Sequence, residues 1–94
     1  MPFDFTPLST EVHQKQTLGA AVFTMQVPTH ASGVLVQALT QNARFTLDGT
    51  DPSATKGFQL KAGDPPIYIR FQSGITYKWI QETSGAILEF EWSK

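Results

Sequence analysis

Ninety-four residues, 40% of them apolar and 16% charged, are one domain's worth of chain, and seven Lys and Arg against eight Asp and Glu leave a net charge of −1. The basic residues Lys15, Arg44, Lys56, Lys61, Arg70, Lys78 and Lys94 are scattered and never adjacent, which argues against the concentrated positive face that nucleic acid needs. With no cysteine there is no disulfide and no thiolate metal site, and no run approaches the roughly 20 apolar residues of a membrane-spanning helix.

In chain order, residues 1–10, MPFDFTPLST, read as an extended arm, because Pro2 and Pro7 oppose both a helix and a central strand. The basic and apolar regions of a signal peptide are missing here, so synthesis in a cytoplasm is expected. Phe3, Phe5 and Leu8 have no local strand to bury them, and exposed apolar side chains in an arm are expected to meet a partner surface. Residues 11–94 are expected to form a single domain.

Glu11 to Gln16 reads as a polar edge strand, and Ala20 to Val27 as a strand that ends at Pro28. Gly33 to Thr40 is rich in branched side chains, and a turn at Gln41-Asn42 leads into Ala43 to Leu47. There Ala43, Phe45 and Leu47 alternate with Arg44 and Thr46, the period of a half-buried strand. A long turn, Asp48 to Gly57, precedes a short strand at Phe58 to Leu60. Ile67 to Phe71 and Thr76 to Glu82 follow, and Thr83-Ser84-Gly85 predicts a tight hairpin into Ala86 to Trp92. In that last segment Ala86, Leu88, Phe90 and Trp92 share one face, while Ile87, Glu89 and Glu91 share the other. No segment carries a convincing helical period. The series predicts an all-β fold, an antiparallel β-sandwich, immunoglobulin-like or jelly-roll, of seven or eight short strands. A closed barrel is the alternative.

Chemistry is hard to find in this chain. His13 and His30 lie apart from any ligand-spaced Cys, Asp or Glu, and no serine sits in a Gly-x-Ser-x-Gly elbow. Glu89 and Glu91 project together from one strand face. That arrangement suits a solvent-facing stripe that blocks edge-to-edge pairing better than a glycosidase pair. No enzyme activity, cofactor or metal is expected. Tyr68, Tyr77, Trp79 and Trp92 alternate as core or interface residues should, which is the favoured reading; a sugar-stacking platform is the alternative.

Leu47 to Gly57 is the most informative segment. The Asp48 carboxylate is placed to accept backbone N–H groups two or three residues on, Gly49 supplies positive φ, and Pro52 forces Asp51 extended. Two carboxylates without a later bidentate Glu favour a structural turn over a calcium loop. The stretch from Ala43 to Thr55, ARFTLDGTDPSAT, resembles the R-[FY]-T-x-D-G-T-x-P-T-A-T signature of small β-sandwich structural proteins of tailed phages. It is also similar to the turn of the C-terminal immunoglobulin-like domain of chitobiase. The phage likeness continues at Gly57, Leu60 and Ala62-Gly63, and in YKWI and AILEF of the last two segments. It implies that Asp48 and Pro52, which share the structural turn with Gly49 and Asp51, are framework residues, and it brings no catalytic residue with it.

That resemblance implies a capsid decoration or cement subunit, carried in the virion, whose partners are further copies of itself, as a trimer, and the major capsid protein. Apolar positions on both faces of Gly33–Leu39 and Ile67–Phe71 agree with an oligomer. A tail or baseplate component, or a carbohydrate-binding or adhesion module, are the alternative readings.

Overall fold

The structure, a computed structural model, describes residues 13–94. The alternating segments become eight strands: β1 (His13–Thr17), β2 (Phe23–Thr24), β3 (Gly33–Leu39), β4 (Ala43–Thr46), β5 (Phe58–Leu60), β6 (Ile67–Arg70), β7 (Lys78–Gln81) and β8 (Ile87–Ser93). Among the described residues there is no helix. Two antiparallel four-stranded sheets, ordered β1-β8-β3-β6 and β2-β7-β4-β5, pack as a β-sandwich.

Alternation decides what each strand buries. From the first sheet Val34, Val36, Ala38, Leu88, Phe90 and Trp92 point inward, and from the second Ala43, Phe45, Leu60 and Trp79 meet them. Tyr77 and Trp92 contact edge-on at 5.7 Å between ring centres, and Phe45 lies 4.7 Å from Trp79. Each fully buried side chain of this size is worth about 1.5–3 kcal/mol of transfer free energy. The core is therefore built on aromatic rings that bridge the two sheets.

The expected hairpin at Thr83-Ser84-Gly85 is corrected. β7 belongs to the second sheet and β8 to the first, so this turn carries the chain across the core. Both edges of β8 are already taken, by β1 and β3, and both edges of β7 by β2 and β4. Of all consecutive strands, only β4 and β5 share a sheet. The strand expected over Ala20–Val27 shrinks to the two residues of β2, although the Met25 N–H still donates to the Tyr77 carbonyl at 2.9 Å. Pro28, with no donor, lies just beyond.

The β5–β6 connection runs past the end of β3, where Ala62 bridges Ala38. Sheet order and this bridge put β5 and β6 at one edge of the sandwich and β1 and β2 at the other. Phe58 on β5 and Ile67 on β6 pair with Phe45 and Val36, so both lie on the core side of their sheets. They are nonetheless the two large apolar side chains most exposed among the described residues, Phe58 at 67% and Ile67 at 36%. The sandwich is open along that edge.

Candidate functional site

The loop between β4 and β5 is assembled from short-range bonds. The Asp48 carboxylate accepts the Thr50 N–H at 3.0 Å, and the Thr46 hydroxyl donates to the Thr50 carbonyl. Thr50, through its backbone N–H first and its side chain second, holds the Asp48 carboxyl below the usual carboxylate range. Gly49 turns the chain at φ 89°, where a side chain would be strained. Ser53 and Lys56 exchange backbone bonds of 2.9 and 3.2 Å, and Pro52 is buried. Asp51 pairs with Lys78 Nζ at 2.8 Å, so each expected loop carboxylate has a protein partner.

Gly57 closes the loop at φ 120°, and a Cβ there would stand 2.9 Å from the Phe45 carbonyl oxygen. Arg44 fastens it from the outer face: Nη1 donates to the Gly57 carbonyl at 3.1 Å and Nε to Glu82 at 2.7 Å. Glu82 also accepts from Asn42 and Gln59, and hydrogen bonds from Asn42, Arg44 and Gln59 hold its pKa below the carboxyl norm. Arg44 and Glu82 were not singled out by sequence reasoning. Arg44 lies inside the resembled signature, and that was the available signal. Glu82 had none, because its partners come from three different strands and turns.

This loop and the start of β5 border a groove of about 530 Å³ lined by Thr46, Leu47, Asp48, Thr50, Lys56, Gly57 and Phe58. Its wall is mostly apolar. Phe58 stands 5.5 Å from Phe45, so three rings, Phe58, Phe45 and Trp79, run from the surface into the core. Such an apolar groove, beside a strand that ends its sheet among the described residues, has the properties of a protein-contact surface. The charged residues that line it are Asp48, whose carboxylate accepts the Thr50 N–H, and Lys56.

We expect Asp48→Ala to lower the melting temperature by a few degrees, with Asp48→Asn, which keeps the acceptor oxygen, falling between the two. Thermal denaturation followed by circular dichroism tests this. If calcium raised the wild-type midpoint and Asp48→Ala abolished that rise, the turn would be a cation site instead.

The aromatic residues proposed for sugar stacking separate sharply. Tyr77, Trp79 and Trp92 are 0%, 0% and 1% exposed and belong to the core. A ring with no free face has none to offer a sugar, so that reading is corrected for all three. Burial pushes the Tyr77 hydroxyl up to about 12 while it donates to the Ile69 carbonyl at 3.1 Å. Only Tyr68 reaches the surface. Its ring lies over Gly33, and its hydroxyl is 2.7 Å from Ser93 Oγ. Phe3, Phe5 and Leu8 lie outside the described residues.

On the outer face of the first sheet, the β1–β8 register sets His13 opposite Glu91. His13 Nδ1 is 2.7 Å from Glu91 and Nε2 is 2.9 Å from Glu89, which also accepts from Gln37 Nε2 at 2.9 Å. Glu89 first and Glu91 second hold His13 protonated above the ordinary imidazole value of 6.5. His13 and then Gln37 hold Glu89 below the ordinary carboxyl value. Only a doubly protonated imidazole donates to both carboxylates, so the pair of bonds requires the cation.

The sign of the pH effect follows. His13's stabilisation is fully present below its unfolded pKa and fades as pH rises through its raised folded value. Glu89's is present above its unfolded pKa and fades as pH falls through its lowered one. Anchoring of β1 is therefore strongest between the two unfolded values, about 4.3 to 6.5. We expect urea stability to decline as pH rises above about 6.5, and His13→Gln to flatten that decline. An unchanged slope in His13→Gln would contradict the assignment.

Comparison with protein-family models, curated proteins and solved structures finds no match to this chain.

Proposed function

We propose that this chain is a non-enzymatic structural subunit of a phage virion, a capsid decoration or cement protein that oligomerises on the head surface. The observation that carries the reading is the apolar groove at the open β5 edge, with Phe58 67% exposed beside it. It adjoins the Asp48–Pro52 turn, whose sequence resembles the phage signature. A groove of this character supports contact with another protein chain, and around it are framework residues rather than a reacting constellation. Partners under this reading are further copies of the chain and the major capsid protein.

The carbohydrate-binding alternative loses ground, because three of its four platform residues are core. Fractionating an infected culture on a density gradient and probing for the chain tests the proposal. The proposal expects the chain in the particle band. Recovery only among soluble proteins, with empty particle fractions, would overturn it.

A further inference from the structure

We propose that the segment Phe3–Thr6 of a second copy adds as a short strand to the free edge of β5, its phenylalanines packing on Phe58 at the groove. The inference rests on the assembly reading above and specifies the surface and the occupant.

Among the described residues β5 ends its sheet and pairs only with β4, which leaves its other edge available for strand addition. Its side chains alternate: Phe58 and Leu60 point to the core side, and Gln59 to the outer face, where it bonds Glu82. An incoming strand with apolar residues two apart would match that alternation. Phe3 and Phe5 have this spacing, with Asp4 and Thr6 left for the outer face. Pro2 and Pro7 bracket the stretch and donate no backbone bond, which limits the added strand to a few residues. β5 is itself only three residues long. The lengths agree.

Two observations favour a second copy over the same chain. Phe58 keeps 67% of its surface exposed in the single chain. The chain also enters the described fold at β1, on the opposite edge of the sandwich from β5. Six residues, 7–12, separate Thr6 from β1 and, at about 3.3 Å each, reach roughly 20 Å. That falls short of the molecule's smallest extent, 27 Å. A donor edge and an acceptor edge on opposite sides make a head-to-tail contact, which closes into a ring when the rotation between copies allows it and otherwise extends as a filament. The proposed trimer is one such ring.

The test uses the full chain, a deletion of residues 2–9, Phe58→Asp, and a labelled peptide of residues 1–12. Circular dichroism establishes first that both variants keep the β-sheet spectrum. Because Phe58 is exposed in the single chain, its replacement should leave the fold intact; the peptide titration onto the deletion variant does not depend on it. We expect each variant alone to run as a single chain. Mixed, they should form a one-to-one complex, since Phe58→Asp retains the donor segment and the deletion variant retains the acceptor. The peptide should bind the deletion variant and weaken at least about tenfold when Phe58→Asp is added, a loss typical of a buried aromatic anchor. Wild-type oligomers from both variants would overturn this docking mode while leaving assembly standing. Peptide binding without a one-to-one complex would overturn the second copy in favour of the chain's own segment. A full chain that stays single throughout would instead remove the assembly reading itself.

Discussion

Trp79→Ala is expected to lose about 3–5 kcal/mol of stability, the usual range when a buried tryptophan is truncated. Trp79 is fully buried, faces Phe45 at 4.7 Å between ring centres, and sits where β7 pairs with both β2 and β4. Removing it leaves a void beneath Phe45 that the two facing sheets can only partly close. Because small domains are stable by only about 5–15 kcal/mol, this is a large share of the total, and the urea midpoint should fall steeply. Trp79→Phe should lose much less. It keeps a ring in the same position, and Trp79 Nε1 has no hydrogen-bond partner among the described residues, so no bond is forfeited. Urea denaturation of both variants measures the difference. A Trp79→Ala protein with wild-type stability and altered sugar binding would restore the stacking platform and contradict the core assignment.

Gly33→Ala is expected to be the next most damaging, by overpacking rather than by a void. An added Cβ would stand 2.4 Å from the Tyr68 hydroxyl oxygen, 2.5 Å from its Cζ and 2.8 Å from the Ile69 carbonyl oxygen. The Tyr68 ring could swing aside, but only by giving up its 2.7 Å contact with Ser93 Oγ, and the Ile69 oxygen belongs to the β6 backbone. Overpacking of this kind typically destabilises by about 1–3 kcal/mol. Tyr68→Ala in the same chain removes two of the three obstructing atoms, so the double variant should recover part of the loss. Strict additivity of the two substitutions would mean that Tyr68 does not lie over Gly33.

The strands of this protein were legible wherever one face is buried. Phe45 alternating with Arg44, and Leu88, Phe90 and Trp92 alternating with Glu89 and Glu91, are patterns that burial on one side imposes. The boundaries of β5 were read to the residue, because Gly57 and the loop before it punctuate so strongly. The Asp48 turn was also legible, since an Asx turn is a local bond between a side chain and an amide two residues on.

What the sequence concealed was partnership. Thr83-Ser84-Gly85 encodes a reversal, yet a reversal within a sheet and one between sheets use the same turn residues. Only competition for the edges of β8 decides between them. His13 looked isolated because its carboxylates lie 76 and 78 residues away, brought near by the β1–β8 register. Tyr77 and Trp79 gave the same apolar signal whether destined for a core or for an exposed platform. Phe58 attracted no notice for the opposite reason: a phenylalanine in a strand reads as core, and nothing local marks that strand as the last of its sheet.

The mass of the chain in solution tests the central claim most directly. Light scattering at tens of micromolar should give a homo-oligomer, at three times the 10.4 kDa chain mass if the ring is a trimer. The mass should fall toward that of one chain on dilution or on replacing Phe58 with Asp. A single-chain mass at every concentration, with and without phage particles present, would contradict the account.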